Sequence, residues 1–187
     1  AMATLHGISK AMIPPPKWLD PEKPYLLGIS GGRDSIALHH WLVENGFKKI
    51  IYCHLNHELR KDESNDDERF LRKLLGVDLM VGRVNVTELA ESKSLSLETA
   101  ARDARHRFFQ NCASQTGINH ILLAHHADDQ AETLLFNLLR GAAGLKGMKA
   151  RQGLGALTFL RPFLDIRREA INQYLASFNH SFRDDSS

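Results

Sequence analysis

Two short segments hold most of the side chains that could take part in a reaction. Residues 30–35 read SGGRDS and offer two glycines, two hydroxyls and one carboxylate. Gly31 and Gly32 let the backbone approach a ligand closely, and the free N–H groups of a helix that starts here favour a phosphate. The GxxxxGK[ST] pattern of the Walker loop does not occur in the sequence. Residues 30–35 therefore predict a different phosphate-binding turn, the alternative being a plain turn that Asp34 or Ser35 caps.

The second segment, residues 124–132, reads AHHADDQAE and combines two adjacent histidines with three acids. Carboxylates are common at a helix start because they complement the helix dipole. Asp129 and Glu132 are three residues apart and share one helix face, and so many charged groups exceed what capping requires. A metal centre built on His125 and His126 is disfavoured, because adjacent histidines do not both face one ion and HExxH is absent. We predict that the carboxylates receive a cationic amine beside a phosphate site.

A charged stripe and a basic segment each allow two interpretations. Glu98, Arg102 and Arg105 are spaced i, i+4, i+7, which suits either solvated ion pairing or an arginine aimed at a phosphate. Residues 140–170 hold seven lysines and arginines against two acids, an excess of 7 − 2 = +5 in a chain whose net charge is only +2. Such a segment either follows a nucleic-acid backbone or forms a solvated face.

The elements that position these groups can be read from hydrophobic periodicity. Short apolar runs without alternation predict buried strands at residues 25–29, 50–54, 79–84, 120–124 and 157–160. Helical spacing connects them at residues 35–45, 63–75, 96–116, 131–139 and 167–177. The long helix after the N-cap Ser96 is expected to bury a stripe of Leu97, Ala100, Ala101, Ala104 and Phe108. The alternation predicts an α/β fold with a doubly wound, Rossmann-like parallel sheet, and its ligand belongs beyond the carboxyl ends of the strands.

Composition excludes several classes of protein. Hydrophobic residues make up 43% and charged residues 25% of the 187 positions, which is typical of a globular protein rather than a disordered or fibrous one. No apolar run approaches the ~18–20 residues of a membrane span, so no membrane partner is predicted. Cys53 and Cys112 form neither a CxxC pair nor a disulfide framework, which predicts a cytoplasmic protein.

Residues 28–32 read GISGG and also match G-x-S-x-G, the nucleophile elbow of serine hydrolases. That interpretation makes Ser30 a nucleophile activated by a histidine and an acid. The elbow also needs an oxyanion N–H from an earlier strand-to-helix loop, and Ser30 follows the first predicted strand. The serine hydrolase is therefore the weaker alternative.

Five segments together resemble one enzyme family. The SGGRDS turn is similar to the SGGxDS loop of the PP-loop ATP pyrophosphatases, whose fold is the adenine nucleotide alpha hydrolase-like one. Residues 53–60 (CHLNHELR) resemble the HxNHxLR segment of tRNA(Ile)-lysidine synthetases, and residues 96–109 resemble their SxExxAR…R…FF helix. Residues 124–148 resemble their AHHxDDQAET…LRG…GLxGM block, and residues 161–164 their LRPLL-type segment. The resemblance runs from about Tyr25 to the end of the chain.

The resemblance implies a ligase that uses ATP and Mg²⁺. Enzymes of that family adenylate C2 of the wobble cytidine in tRNA(Ile) with a CAU anticodon and release pyrophosphate. The ε-amine of L-lysine then displaces AMP, and lysidine forms. The same resemblance implies that Asp34 holds Mg²⁺, that Arg105 stabilises charge during adenylation, and that Asp129 and Glu132 receive the lysine.

The remaining carried-over residues concern ATP and the neighbourhood of the site. By resemblance, ATP is bound by Ser30, Gly31, Gly32, Arg33, Asp34 and Ser35. Three histidines fall at family positions near the site without an assigned role, namely His57, His125 and His126. Glu58 stands where the family usually has glycine, which is expected to matter little on an exposed loop.

Domain organisation follows from the same resemblance. Residues 1–24 are expected to be an N-terminal extension in which Ala1, ahead of Met2, is a cloning remnant. Residues 25–187 are expected to be a PP-loop catalytic domain cut before the domains that grip the tRNA, so full activity is not expected of it alone. The oligomeric state is left open, with a homodimer as one alternative.

Two rivals use the same fold. A PP-loop tRNA thiolase shares the HH-x-DD block but binds an iron–sulfur cluster through CxxC pairs, which Cys53 and Cys112 cannot supply. A non-catalytic ATP-binding module would be marked by alanine at position 34 or 105, and both Asp34 and Arg105 are present.

Overall fold

The short apolar runs of the sequence form neighbouring strands of one sheet. A computed structural model describes residues 13–58, 61–76, 79–131 and 147–178, with the backbone alone for residues 61–64 and 178. The strands are β1 (Tyr25–Gly28), β2 (Ile50–Asn56), β3 (Leu79–Arg83), β4 (His120–Leu122), β5 (Arg151–Leu154) and β6 (Leu157–Leu160). They lie in the order β3-β2-β1-β4-β6-β5, and all are parallel except β5, which pairs antiparallel with β6.

The strand order confirms the predicted doubly wound sheet. The chain runs outward from β1 to β3 on one side and from β4 to β6 on the other, so the direction changes between β1 and β4. In such sheets a crevice opens at the carboxyl ends of the two strands where the direction changes. The sequence did not predict β5, because residues 151–154 (RQGL) lack strand-forming side chains. A two-residue turn at Gly155, with φ of 61°, pairs it with β6.

The helices cover both faces of this sheet. They are α1 (Arg33–Glu44), α2 (Lys61–Leu75), α3 (Val86–Ser92), α4 (Leu97–Thr116) and α5 (Arg168–Phe178). The Ser96 hydroxyl caps α4 by accepting from the N–H of Thr99, and Gly117 ends the helix in the left-handed region. The short α3 was not predicted, although Asn85 caps it by accepting from the N–H of Glu88. Residues 127–131 are helical, and the rest of the helix predicted at 131–139 lies outside the described residues.

Successive residues of β1 face opposite cores. Leu27 belongs to the larger core with Trp41 and Phe163, and Leu26 belongs to the core beneath α4. The stripe predicted for α4 is wrong at its ends, because Leu97 is 47% exposed and Phe109 is buried in place of Phe108. The residues that α4 buries are Ala100, Ala104, Phe109, Cys112 and Ala113.

The chain before β1 also contacts the larger core. Ile13 and Leu19 are buried there, and the indole N–H of Trp41 donates to the carbonyl oxygen of Ile13. The division of the chain at residue 25 stays a prediction. None of the helices in the described ranges is long and apolar enough to cross a membrane.

We expect Glu68→Ala to lower the free energy of unfolding by about 1.5–3 kcal/mol, the range for buried hydrogen bonds to charged groups. Glu68 of α2 is only 5% exposed, and its Oε1 accepts from Arg83 of β3 over 2.6 Å and from Arg72 over 3.0 Å. Urea denaturation measures the change. Glu98→Ala is the control, since the exposed Glu98–Arg102 pair at 3.5 Å should contribute less than about 0.5 kcal/mol. Equal losses in the two variants would contradict the assignment of Glu68.

Candidate functional site

The turn between β1 and α1 is closed by its two serines. The Ser35 hydroxyl donates to the carbonyl oxygen of Ser30 over 2.7 Å and accepts from the Ser30 N–H over 3.0 Å. The Ser30 hydroxyl accepts from the N–H of Gly32 over 3.2 Å. Gly32 precedes α1 and has no side chain to cap the first N–H groups of that helix. The turn thus leaves a helix start suited to an anion at the carboxyl end of β1.

Gly31 lies against the side chain of Asp67 on α2. A Cβ added at Gly31 would lie 2.7 Å from Oδ1 of Asp67, closer than real contacts allow. We expect Gly31→Ala to displace Asp67, distort the turn and weaken ATP binding by about tenfold, or 1.4 kcal/mol. Titration calorimetry measures the affinity, and Gly153→Ala is the control because a Cβ there meets nothing within 4 Å. Unchanged ATP affinity in Gly31→Ala would contradict the assigned turn.

A buried imidazole joins this turn to the segment after β4. His126 is fully buried, and its Nε2 lies 3.0 Å from Oδ2 of Asp34. Its backbone N–H donates to Oδ2 of Asp129 over 2.9 Å. The two segments singled out in the sequence therefore meet at the crevice between β1 and β4, with one carboxylate on either side of His126.

The hydrogen bonds of His126 indicate which ring nitrogen accepts and which donates. The backbone N–H of Asp128 donates to Nδ1 over 3.2 Å, so Nδ1 accepts and the ring proton sits on Nε2, directed at Asp34. Burial raises the pKa of Asp34, the attraction of His126 opposes that rise, and the repulsion of Asp129 adds to it. A bound cation would offset both the cost of burying the ionised Asp34 carboxylate and its repulsion by Asp129.

This environment fits the Mg²⁺ that the sequence implies. Mg²⁺ is commonly held by one or two carboxylates together with substrate phosphates. The Asp34 carboxylate is 35% exposed beside the phosphate turn, so it can reach a cation that phosphate oxygens also bind. No group of three or more metal-ligating side chains occurs within the described ranges.

Arg105 lies close to two histidines at the carboxyl end of β2. Arg105 is exposed on α4, and in the described part of the chain it makes no hydrogen bond or ion pair. Burial lowers the pKa of His57, and the charges of Arg105 and His54 lower it further, which places these three groups together. His57 is therefore held neutral beside an arginine that is available to a ligand.

Sequence reasoning missed His54, which is 6% exposed at the end of β2. Its Nδ1 lies 2.9 Å from the carbonyl oxygen of Ile29, so this nitrogen carries the proton. Its Nε2 is buried and has no hydrogen-bond partner among the described residues. A histidine at the carboxyl end of a predicted strand, three residues before His57, was the signal that could have found it.

The other residues singled out in the sequence differ in their positions and contacts. The Arg33 side chain donates to Asn172 of α5 over 2.9 Å, so it ties two helices together. His125 is half-buried and accepts at Nδ1 from Arg161. Glu132 lies outside the described residues. Glu58, expected to tolerate its difference from glycine, has φ of 53°, the left-handed region that explains why glycine suits this position.

The geometry gives the serine hydrolase no support. The Ser30 hydroxyl contacts Ser35 and the N–H of Gly32, and within the described ranges no imidazole lies within hydrogen-bond distance of it. The one imidazole bonded to an acid of this turn is engaged by Asp34 instead. A nucleophile without a base in reach is not activated.

Comparison with known proteins identifies the fold family. A family model described as the PP-loop domain matches residues 7–187. The chain belongs to the PP-loop family. This PP-loop domain is also similar in structure to a U34-tRNA thiolase from Methanococcus maripaludis, with a TM-score of 0.70 at 13% identity, covering 100% of this chain and 67% of that one. It is less similar to an ammonia-dependent NAD synthetase from Campylobacter jejuni, with a TM-score of 0.53 at 13% identity, covering 95% and 71%.

Curated sequence relatives of this PP-loop domain share one name. It is 40% identical over 171 residues to a tRNA(Ile)-lysidine synthase of Bacteroides thetaiotaomicron, covering 89% of this chain and 39% of that protein. It is 42% identical over 168 residues to the enzyme of that name from Geobacter sulfurreducens, covering 87% and 36%. The chain thus spans less than half the length of these relatives. The PP-loop family supports the use of ATP.

Proposed function

We propose that the protein is the catalytic part of a tRNA(Ile)-lysidine synthetase. The observation that carries the proposal is the contact between Asp34 and His126, which brings the phosphate turn and the HHADDQAE segment into one crevice. Relatives that match most of this chain at about 40% identity carry the same name. The proposed substrates are ATP, L-lysine and tRNA(Ile) with a CAU anticodon, and the proposed location is the cytoplasm. A homodimer stays a prediction.

In the proposed first step the crevice binds ATP and transfers its adenylyl group. The turn of residues 30–35 would hold the phosphates, and Asp34 would hold the Mg²⁺, which would neutralise charge on the leaving pyrophosphate. The 2-oxygen of the wobble cytidine forms a bond to the α-phosphorus, and the bond from that phosphorus to pyrophosphate breaks. Arg105 lies free of other partners in the described part and stabilises the charge that develops at the α-phosphate.

In the proposed second step a lysine amine replaces AMP. The ε-amine forms a bond to C2 of the activated cytidine, the bond from C2 to the AMP oxygen breaks, and the amine proton is lost to water. Asp129 and Glu132 are proposed to attract the ammonium group. Asp129 is 31% exposed beside Asp34, so its carboxylate is accessible to a ligand at this edge. Histidines that stay neutral, such as His57, add no charge that would repel the amine.

Sulfur transfer is the less supported alternative. The structural similarity to a tRNA thiolase shows a shared fold alone. Cys53 and Cys112 are each 2% exposed within the apolar core beneath α4. They are the only cysteines of the sequence and form no CxxC pair, so the ligands of a cluster bound through CxxC pairs are not present.

The test is incorporation of labelled lysine into RNA. The protein is incubated with ATP, Mg²⁺, labelled L-lysine and a tRNA(Ile) transcript with a CAU anticodon, and the digested RNA is examined by mass spectrometry. We expect lysine linked to the wobble cytidine and none when ATP is omitted. A transcript whose wobble cytidine is replaced by uridine is the matched control. Binding of ATP without any lysine in the RNA would contradict the proposed ligation and support the ATP site alone.

A further inference from the structure

Arg161 is a buried cation for which the described residues supply no carboxylate. It follows β6 directly and is 9% exposed. Its Nε donates to Nδ1 of His125 over 3.1 Å, and its Nη1 donates to the carbonyl oxygen of Lys149 and to Oε1 of Gln152, each over 3.0 Å. All three acceptors are neutral. Because burial of a cation is only partly offset by neutral acceptors, stability alone is a weak reason for an arginine here.

The bond from Arg161 determines where the proton of His125 lies. A guanidinium carries only donors and stays protonated. Nδ1 of His125 must therefore accept, which leaves a neutral ring with its proton on Nε2. Burial, followed by the charge of Arg161, lowers the pKa of His125 to about 4. The ring is thus an uncharged hydrogen-bond donor at physiological pH.

His125 lies among the groups of the proposed site. Its neighbour His126 contacts Asp34, and the charges of Asp129 and Arg105 act on its ring. Arg105 is already a cation at this edge, and the proposed second step adds a cationic amine. A protonated ring would repel both, whereas a neutral Nε2–H can donate to an oxygen without adding charge.

We propose that Arg161 is a positioning residue that holds His125 neutral and presents its Nε2–H to an oxygen atom of the bound nucleotide or of the nucleoside being modified. The identity of that ligand rests on the proposed function, while the tautomer rests on the geometry alone. Arg161 touches no reacting atom and acts only through His125.

The tautomer is measured by long-range proton–nitrogen correlation NMR of the labelled protein at neutral pH. In the unaltered protein we expect the proton of His125 on Nε2 and none on Nδ1. Arg161→Met should give a mixture of tautomers, and the matched control Gln152→Ala, which removes another acceptor of Arg161, should leave the tautomer unchanged. A proton on Nδ1 in the unaltered protein overturns the proposal, and that measurement does not require the variant to fold.

Kinetics then separate positioning from folding. We expect Arg161→Met to lower kcat for AMP formation by about tenfold to a hundredfold, less than outright removal of a donor, because the His125 ring stays in place; the Kd for ATP should be nearly unchanged. His125→Gln, which keeps an N–H near the Nε2 position, should retain more of kcat than His125→Ala. Full kcat in His125→Ala overturns the role of the donor. If the unaltered protein forms no AMP yet shows the expected tautomer, the proposed function fails and the assignment of Arg161 to His125 stands.

Discussion

Asp34→Asn is expected to weaken binding of Mg-ATP by about a hundredfold, or ~2.7 kcal/mol. The substitution keeps an oxygen that accepts from the Nε2–H of His126. It removes the negative charge that would attract a Mg²⁺ ion placed between the turn and the phosphates. ATP in the presence of a chelator should lose little affinity, because without Mg²⁺ the carboxylate only repels the phosphates. Titration calorimetry under both conditions measures the difference. Equal affinity for Mg-ATP in the two proteins would contradict a metal-binding role for Asp34.

The same variant should not be less stable than the unaltered protein. Burial and Asp129 raise the pKa of Asp34 above its unfolded value, so the stability that this group contributes is present at low pH and is lost as the pH rises through the folded pKa. At neutral pH the ionised carboxylate therefore opposes folding, and the neutral amide removes that cost. Urea denaturation at neutral pH checks this. Asp20→Asn, an exposed carboxylate ahead of β1, is the control that should change neither stability nor ATP affinity.

Arg105→Ala is expected to lower the rate of adenylation by about a hundredfold to a thousandfold, the loss found when one donor to a developing negative charge is removed. In the described part of the chain its guanidinium makes no hydrogen bond or ion pair, so it can bind the charge as it forms. Because that charge develops mainly in the transition state, the Kd for Mg-ATP should change little. Single-turnover measurement of AMP formation separates the rate from binding.

Two further variants separate the effect of the planar pair of donors of Arg105 from the effect of its positive charge. Arg105→Lys should recover part of the rate, since an ammonium supplies charge without the planar pair of donors. Arg107→Ala is the matched control, because Arg107 is also exposed on α4 and two residues turn a helix by about 200°. If Arg107→Ala slowed adenylation as much as Arg105→Ala, the effect would come from general loss of positive charge.

Local signals were sufficient for much of the fold. The apolar runs that became β1 and β2, and the Ser96 cap of α4, depend on neighbouring residues along the chain, and the structure confirms them. The strand β5 depends instead on its partner β6 and the turn at Gly155, which no periodicity shows. The buried face of α4 was misplaced at its ends because Phe109, Cys112 and Ala113 pack with strand residues such as Leu26 and Ile121, which the local spacing does not show.

For the candidate site as well, the sequence predicts some features and cannot show others. The sequence placed Asp34 and His126 at the ends of β1 and β4, and sheet topology then brings them together. It could not show that Arg161 reaches His125 across 36 positions, or that Asp67 closes on Gly31. Such contacts depend on how separate elements pack in three dimensions. The roles of Glu132 and of Asp129 toward lysine remain predictions.

The nucleotide product shows whether the crevice transfers an adenylyl group. The protein is incubated with ATP, Mg²⁺ and tRNA(Ile) with a CAU anticodon, with and without L-lysine, and AMP, ADP and pyrophosphate are separated. We expect AMP and pyrophosphate that depend on the tRNA and disappear in Asp34→Asn. Formation of ADP and phosphate would contradict adenylyl transfer at this crevice, and AMP that forms equally well without tRNA would contradict the proposed substrate.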